Sequence, residues 1–143
     1  MYKNILIATD GSDLATRAAK YGVNLAKSVG AKIIAVNVSK PYHWFDPDML
    51  PEAQVEYTEG AKRAAAAVLG AIADTAKTAG VACQTIHVEE EQPYKAIVDA
   101  ARSKDCDLIV MASHGRSGVS AVVLGSETVK VLTHSKIPVL VLR

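Results

Sequence analysis

Five short apolar runs alternate with longer stretches of helical pattern, and this alternation limits the possible folds more than any other feature. The runs are rich in Val and Ile and lie at 3–9, 32–38, 82–88, 108–112 and 139–142. Short β-branched runs of this kind are typical of strands buried on both faces of a parallel sheet. A helix between each pair of strands returns the chain to the same end of the sheet. The sequence therefore predicts a doubly wound, five-stranded α/β domain with helices on both faces.

The segments between the runs carry helix start and stop signals. Ser12 is placed to cap the first helix, and Gly30 to end it. Its predicted buried face follows helical spacing through Leu14, Ala18, Tyr21, Leu25 and Val29.

The later helices are predicted at 52–79, from Pro93 to about 103, and at 126–134. Interior glycines at Gly60 and Gly70 suggest close packing of the second helix. Residues 39–51, before that helix, contain three prolines and are predicted to form a long loop.

Composition excludes several classes of protein. A chain of 143 residues suits one domain, 1–143, which buries about 70% of its unfolded surface. A formal net charge of +1 does not provide the excess of positive charge that is typical of proteins that bind nucleic acid or an anionic membrane. The two cysteines match no metal or redox spacing. No apolar run has the length of a membrane span. The apolar run near the N-terminus is interrupted by polar residues too early for a signal peptide. We expect a cytoplasmic protein with reduced thiols.

The stretch after the fourth strand has the pattern of a phosphate cradle. Turn-forming residues at 113–118 follow the apolar run. Gly125 and Ser126 come at the start of the last helix, and nine residues separate Gly115 from Gly125. Glycines let a backbone approach a ligand closely, and a helix N-terminus attracts anions. The predicted phosphate ligands are Gly115, Gly118, Gly125 and Ser126, with Arg116, His114 and Thr128 as weaker candidates that equally suit a surface position.

Asp10 follows the first strand, where ligands bind in doubly wound sheets. A carboxylate there suits hydrogen bonds from a ribose or a metal ion beside phosphates. The structural alternative, a helix cap, is less favoured because Ser12 already serves that purpose.

These residues resemble the universal stress protein family. Its nucleotide motif is Gly, two residues, Gly, nine residues, Gly, then Ser or Thr, which is found here at Ala112, Gly115, Gly125 and Ser126. The resemblance covers the whole chain, from ILIATDGSD to KIPVLVLR. It implies a strand order of 3-2-1-4-5, with the binding site between strands one and four.

The resemblance also implies a ligand and further site residues. Nucleotide-binding members hold adenine nucleotides such as ATP, with the aspartate that is Asp10 here beside the adenine and ribose. Any Mg²⁺ that accompanies ATP is expected at Asp10. The positions implied around the base, ribose and phosphates are Ala8, Thr9, Asp10, Val38, Met111, Ala112, Gly125, Ser126, Glu127 and Thr128. Glu127 is compatible with nearby phosphates only if its side chain turns away. A homodimer through strand five, Val139, Leu140, Val141 and Leu142, is also implied.

Ala112 stands where the motif has its first glycine. If that position needs a positive φ, alanine costs about 1–2 kcal/mol, or roughly tenfold in affinity. If it needs only a small side chain, the methyl group costs almost nothing.

Four functions compete at this stage. A regulatory protein that binds ATP, with at most slow hydrolysis because the cradle holds no convincing general base, is favoured. An adenylating enzyme would need a Ser-Gly-Gly turn in place of Thr9-Asp10-Gly11-Ser12, and a phosphoacceptor receiver would need an Asp at the end of strand three. A nucleotide-free interaction module is left open by Ala112.

Overall fold

The computed structural model describes residues 1–42, 48, 50–115 and 124–143, and the predicted helices and strands all fall within these ranges. Their bounds agree with the sequence prediction to within about one residue. In chain order they are β1 (Asn4–Ala8), α1 (Asp13–Val29), β2 (Lys32–Ser39), α2 (Pro51–Ala79), β3 (Cys83–Glu89), α3 (Pro93–Ser103), β4 (Leu108–Ala112), α4 (Ser126–His134) and β5 (Val139–Leu142).

The five strands form one parallel sheet in the order β3-β2-β1-β4-β5, which confirms the predicted order. The central strand β1 pairs with β2 on one side and with β4 on the other. Ile5, for example, lies between Ile33 and Leu108. All carboxyl ends therefore meet at one edge of the sheet.

The core consists of two layers, one on each face of the sheet. Ile5 and Ile7 of β1 pack with side chains of α1 and α2, whereas Leu6 and Ala8 pack with those of α3 and α4. Alternate residues of a strand point to opposite faces, so a continuous apolar run fills both layers. Helices on both faces are thus confirmed.

Helix α1 approaches the sheet through small residues. A Cβ atom on Gly22 would lie 2.8 Å from Cδ1 of Ile7, so only glycine permits this spacing. Leu14 and Ala18 are buried as predicted, but the prediction for Tyr21 is wrong, since that side chain is 51% exposed. The buried face of α1 is centred on Ala15, Ala19, Gly22 and Ala26, and Tyr21 lies beside that face.

The interior glycines of α2 do not mark close packing, contrary to the sequence prediction. A Cβ atom on Gly70 would meet nothing within 4 Å, and one on Gly60 would only meet the Arg63 guanidinium at 3.9 Å.

The two thiols are free, as predicted. Burial, helped by the neighbouring carboxylates of Asp107 and Asp105, raises the pKa of the Cys106 thiol to about 11. Burial also raises the pKa of Cys83. Neither thiol is therefore activated as a nucleophile.

Within the described ranges, no helix is long and apolar enough to cross a membrane.

Candidate functional site

A cavity of about 570 Å³ lies at the carboxyl ends of the strands, where β1 separates β2 from β4. This is the switch point of the sheet, because the chain leaves β1 and β4 toward opposite layers. Every predicted site residue in the described part of the chain lines this cavity: Ala8, Thr9, Asp10, Val38, Met111, Ala112, Gly115, Gly125, Ser126, Glu127 and Thr128. The predicted Arg116 and Gly118 lie outside the described residues.

One part of the cavity wall is apolar. It is built by strand ends and by the first turns of α3, and its side chains are Ala8, Val36, Val38, Pro93, Ile97 and Met111. Val36 and Val38 lie on the same face of β2 because side chains alternate along a strand. A wall of this kind suits a flat, weakly polar ring.

The turn between β1 and α1 holds Asp10 at the cavity. Gly11 has φ of 80°, and its N–H donates to Oγ1 of Thr9 at 3.1 Å. Oδ1 of Asp10 accepts a hydrogen bond from the Ser12 N–H at 2.9 Å. Ser12 in turn caps α1 by accepting from the Ala15 N–H. The helix is therefore capped by Ser12, and Asp10 shapes the turn and faces the cavity.

Asn37 supports the same turn from the neighbouring strand. Its buried side-chain amide donates to the backbone carbonyl of Thr9 at 3.0 Å. The Thr9 N–H also donates to the carbonyl of Val36 at 3.0 Å. These two bonds fix the residue before Asp10 to β2.

Gly115 lies directly against Asp10. A Cβ atom at Gly115 would overlap Oδ2 of that carboxylate and lie 3.4 Å from its Cγ. Gly115 does not have a positive φ. Its lack of a side chain, rather than an unusual backbone conformation, therefore permits the contact.

Gly125 brings the start of α4 against the end of β4. Its N–H donates to the carbonyl of Ser113 at 2.6 Å, and a Cβ atom would lie 3.2 Å from Cα of His114. As the N-cap residue, Gly125 offers no side chain to cap the helix. The first turn of α4, beginning at the exposed Ser126, thus presents backbone N–H groups at the cavity.

Ala112 needs no special backbone conformation. It pairs with Leu142 within the sheet, and its φ is not positive. Of the two alternatives raised by the sequence, only the need for a small side chain applies here, and alanine meets it.

Two side chains of the first turn of α4 form hydrogen bonds with other parts of the chain. The Thr128 hydroxyl, which is buried, donates toward the carbonyls of Ala112 and Ser113 at 3.0 and 3.1 Å. It therefore anchors α4 to β4. The Glu127 carboxylate reaches α3, where Oε2 accepts from the Tyr94 N–H at 2.9 Å.

Sequence reasoning missed Lys40, a cation in the described lining of this cavity. Lys40 follows Val36 and Val38 at the alternate spacing of β2 and joins the lining, as does Ala15 of α1. The alternation of side chains along β2 was the sequence signal that could have identified Lys40.

His114, a weaker candidate, also lines the cavity, with Nδ1 3.1 Å from Oγ of Ser113. Among the described residues there is no cluster of three side chains able to hold a metal ion.

Comparison with known proteins gives the family. The profile described as the universal stress protein family matches residues 1–143. The chain belongs to the universal stress protein family. A universal stress protein of Thermus aquaticus is 35% identical over 143 residues, and the match covers 100% of both chains.

Two solved structures resemble this universal stress protein over nearly its whole length. The hypothetical protein MJ0577 has a TM-score of 0.85 at 28% identity, with 99% of this chain and 96% of that one covered. A universal stress protein in complex with cAMP has a TM-score of 0.73 at 29% identity, with 99% and 97% covered.

Proposed function

We propose that this chain is a cytoplasmic stress-response regulator that binds an adenine nucleotide, ATP in the first place, in the cavity at the ends of β1 and β4. The observation that carries the proposal is the division of the cavity wall. Its apolar part suits a purine, and its glycines and uncapped helix start suit phosphates. The relative in complex with cAMP supports adenine nucleotides as the class of ligand.

Asp10 is the proposed link between the two parts of the wall. Its carboxylate suits the ribose hydroxyls, which donate hydrogen bonds. Mg²⁺ in nucleotide sites takes one or two carboxylates and completes its shell with phosphate oxygens and waters. A single carboxylate such as that of Asp10 is therefore enough for an ion that arrives with ATP. The side chains of Asp10, His114 and Glu127 line the cavity, and each already makes a hydrogen bond within the protein, so we expect at most slow hydrolysis.

Calorimetric titration of nucleotide-free protein with ATP, with and without Mg²⁺, tests the proposal. We expect binding, and an affinity about two- to tenfold lower for Ser126→Ala, because one hydroxyl hydrogen bond to phosphate is lost. Ser28→Ala is the matched control, since the Ser28 hydroxyl donates to its own helix at Leu25. Absence of heat with ATP, AMP and cAMP would replace the proposal with the nucleotide-free interaction module.

A further inference from the structure

Glu127 places a negative charge beside the predicted phosphate cradle. It is the second residue of α4, directly after Ser126, and lines the cavity. The field of a helix N-terminus favours anions within its first turn. A carboxylate in that turn partly neutralises the positive end of the helix dipole and repels a second anion.

The carboxylate is held in place by α3. Its Oε2 accepts from the Tyr94 N–H, and the N-cap residue of α3, Gln92, makes no side-chain capping bond. Glu127 therefore supplies from α4 the cap that α3 lacks. This bond directs the carboxylate toward α3, but the charge stays within the first turn of α4.

Lys130 offsets this charge only in part. Its Nζ lies 3.4 Å from Oε1 of Glu127, and the two side chains are 48% and 36% exposed. Surface pairs of this kind are weak because water and salt screen them. Lys130 also lies 5.8 Å from the ring centroid of Tyr94, on the α3 side of the pair. Lys130 belongs to the second turn of α4, whereas Glu127 belongs to the first.

We propose that Glu127 is a specificity-determining residue: its charge limits how much each added phosphate strengthens nucleotide binding. This inference rests on the proposed adenine-nucleotide function and concerns its phosphate end. It implies that, without a metal ion, the affinity for ATP exceeds the affinities for AMP and adenosine by less than it would if the glycine cradle acted without Glu127. Mg²⁺ reduces the penalty because it neutralises phosphate charge.

Glu127→Gln separates the charge of this residue from its capping bond. The glutamine amide oxygen still accepts from the Tyr94 N–H. In metal-free buffer at low salt, we expect adenosine affinity to change less than about twofold, AMP affinity to rise a few-fold, and ATP affinity to rise on the order of tenfold. The gain for ATP should shrink at about 0.5 M salt or with Mg²⁺.

Two further variants sharpen the experiment. Glu59→Gln is the matched control, because Glu59 pairs with Lys62 at the same i,i+3 spacing, at 3.6 Å, on α2. It should leave all three affinities unchanged. Lys130→Gln should have the opposite effect to Glu127→Gln and weaken ATP more than adenosine.

The outcomes distinguish this inference from the function on which it rests. Equal changes for the three ligands in Glu127→Gln, or a weaker preference for ATP, would overturn the role of Glu127 and leave the nucleotide site standing. Failure of the wild-type protein to bind any of the three would overturn both.

Discussion

At the scale of single residues, the candidate site depends on contacts that join distant parts of the chain. Gly115 and Asp10 follow different strands, and their contact requires that residue 115 has no side chain. Gly125 makes a similar close approach to Ser113 and His114. These glycines therefore set the distances between the loops that surround the cavity.

Gly115→Ala should weaken ATP binding by about tenfold, because the new methyl group displaces the Asp10 carboxylate that we propose contacts the ribose. Calorimetry measures the loss, and Gly70→Ala serves as the control with an open surrounding. In an Asp10→Ala background, the same substitution should cost less than about twofold. An equal loss in both backgrounds would show that the effect does not pass through Asp10.

At the scale of elements, two helical glycines have opposite surroundings. Gly22 of α1 faces the sheet against Ile7, whereas Gly70 of α2 faces open space. Glycine inside a helix lowers stability relative to alanine because the unfolded chain loses more conformational entropy on folding. The close packing of α1 on the sheet requires glycine at position 22 despite this loss of stability, whereas no contact near Gly70 requires glycine there.

Gly70→Ala should therefore raise the free energy of unfolding by about 0.5–1 kcal/mol, which corresponds to a rise of about 2–3 °C in Tm. Gly22→Ala should lower it, because the added Cβ atom lies 2.8 Å from Ile7 Cδ1. Urea and thermal unfolding followed by circular dichroism measure both. A destabilised Gly70→Ala would mean that α2 has a partner on that side.

The sequence predicted the elements well and their surroundings less well. Apolar runs and caps report on local structure, so the bounds of β1 to β5 follow directly. Tyr21 was misjudged because helical spacing alone did not show which side of α1 faces the sheet. Gly70 was misjudged because spacing does not show how closely a neighbour approaches a helix. Pro93 and Ile97 were missed for a related reason, since only the fold brings α3 over the end of β2.

At the scale of the whole molecule, β5 is an edge of the sheet. The carbonyls of Pro138 and Leu142 accept hydrogen bonds from Ile109 and Ser113 in and after β4. Since parallel strands alternate the direction of their backbone groups, those of Val139 and Val141 point away from β4. Val129 and Leu132, on α4, add exposed apolar side chains. An edge of this kind is suited to pairing with a second copy.

We therefore predict a homodimer through β5, present at tens of micromolar in sedimentation. Val141→Pro removes an N–H on the free edge and keeps the bonds to β4, so it should give a folded monomer. Circular dichroism checks the fold of the variant. A wild-type monomer, or a variant that remains dimeric, would exclude this interface.

Amide chemical shifts of ¹⁵N-labelled protein, recorded during a titration with ATP, locate the bound nucleotide on the molecule. We predict that the largest shifts occur at Asp10, Gly115, Ser126 and Glu127, which line the cavity. A second groove, between α1 and α2, is lined by Thr16, Lys20 and Ala71 among others. Shifts confined to that groove, or none at millimolar ATP, would contradict the proposed site.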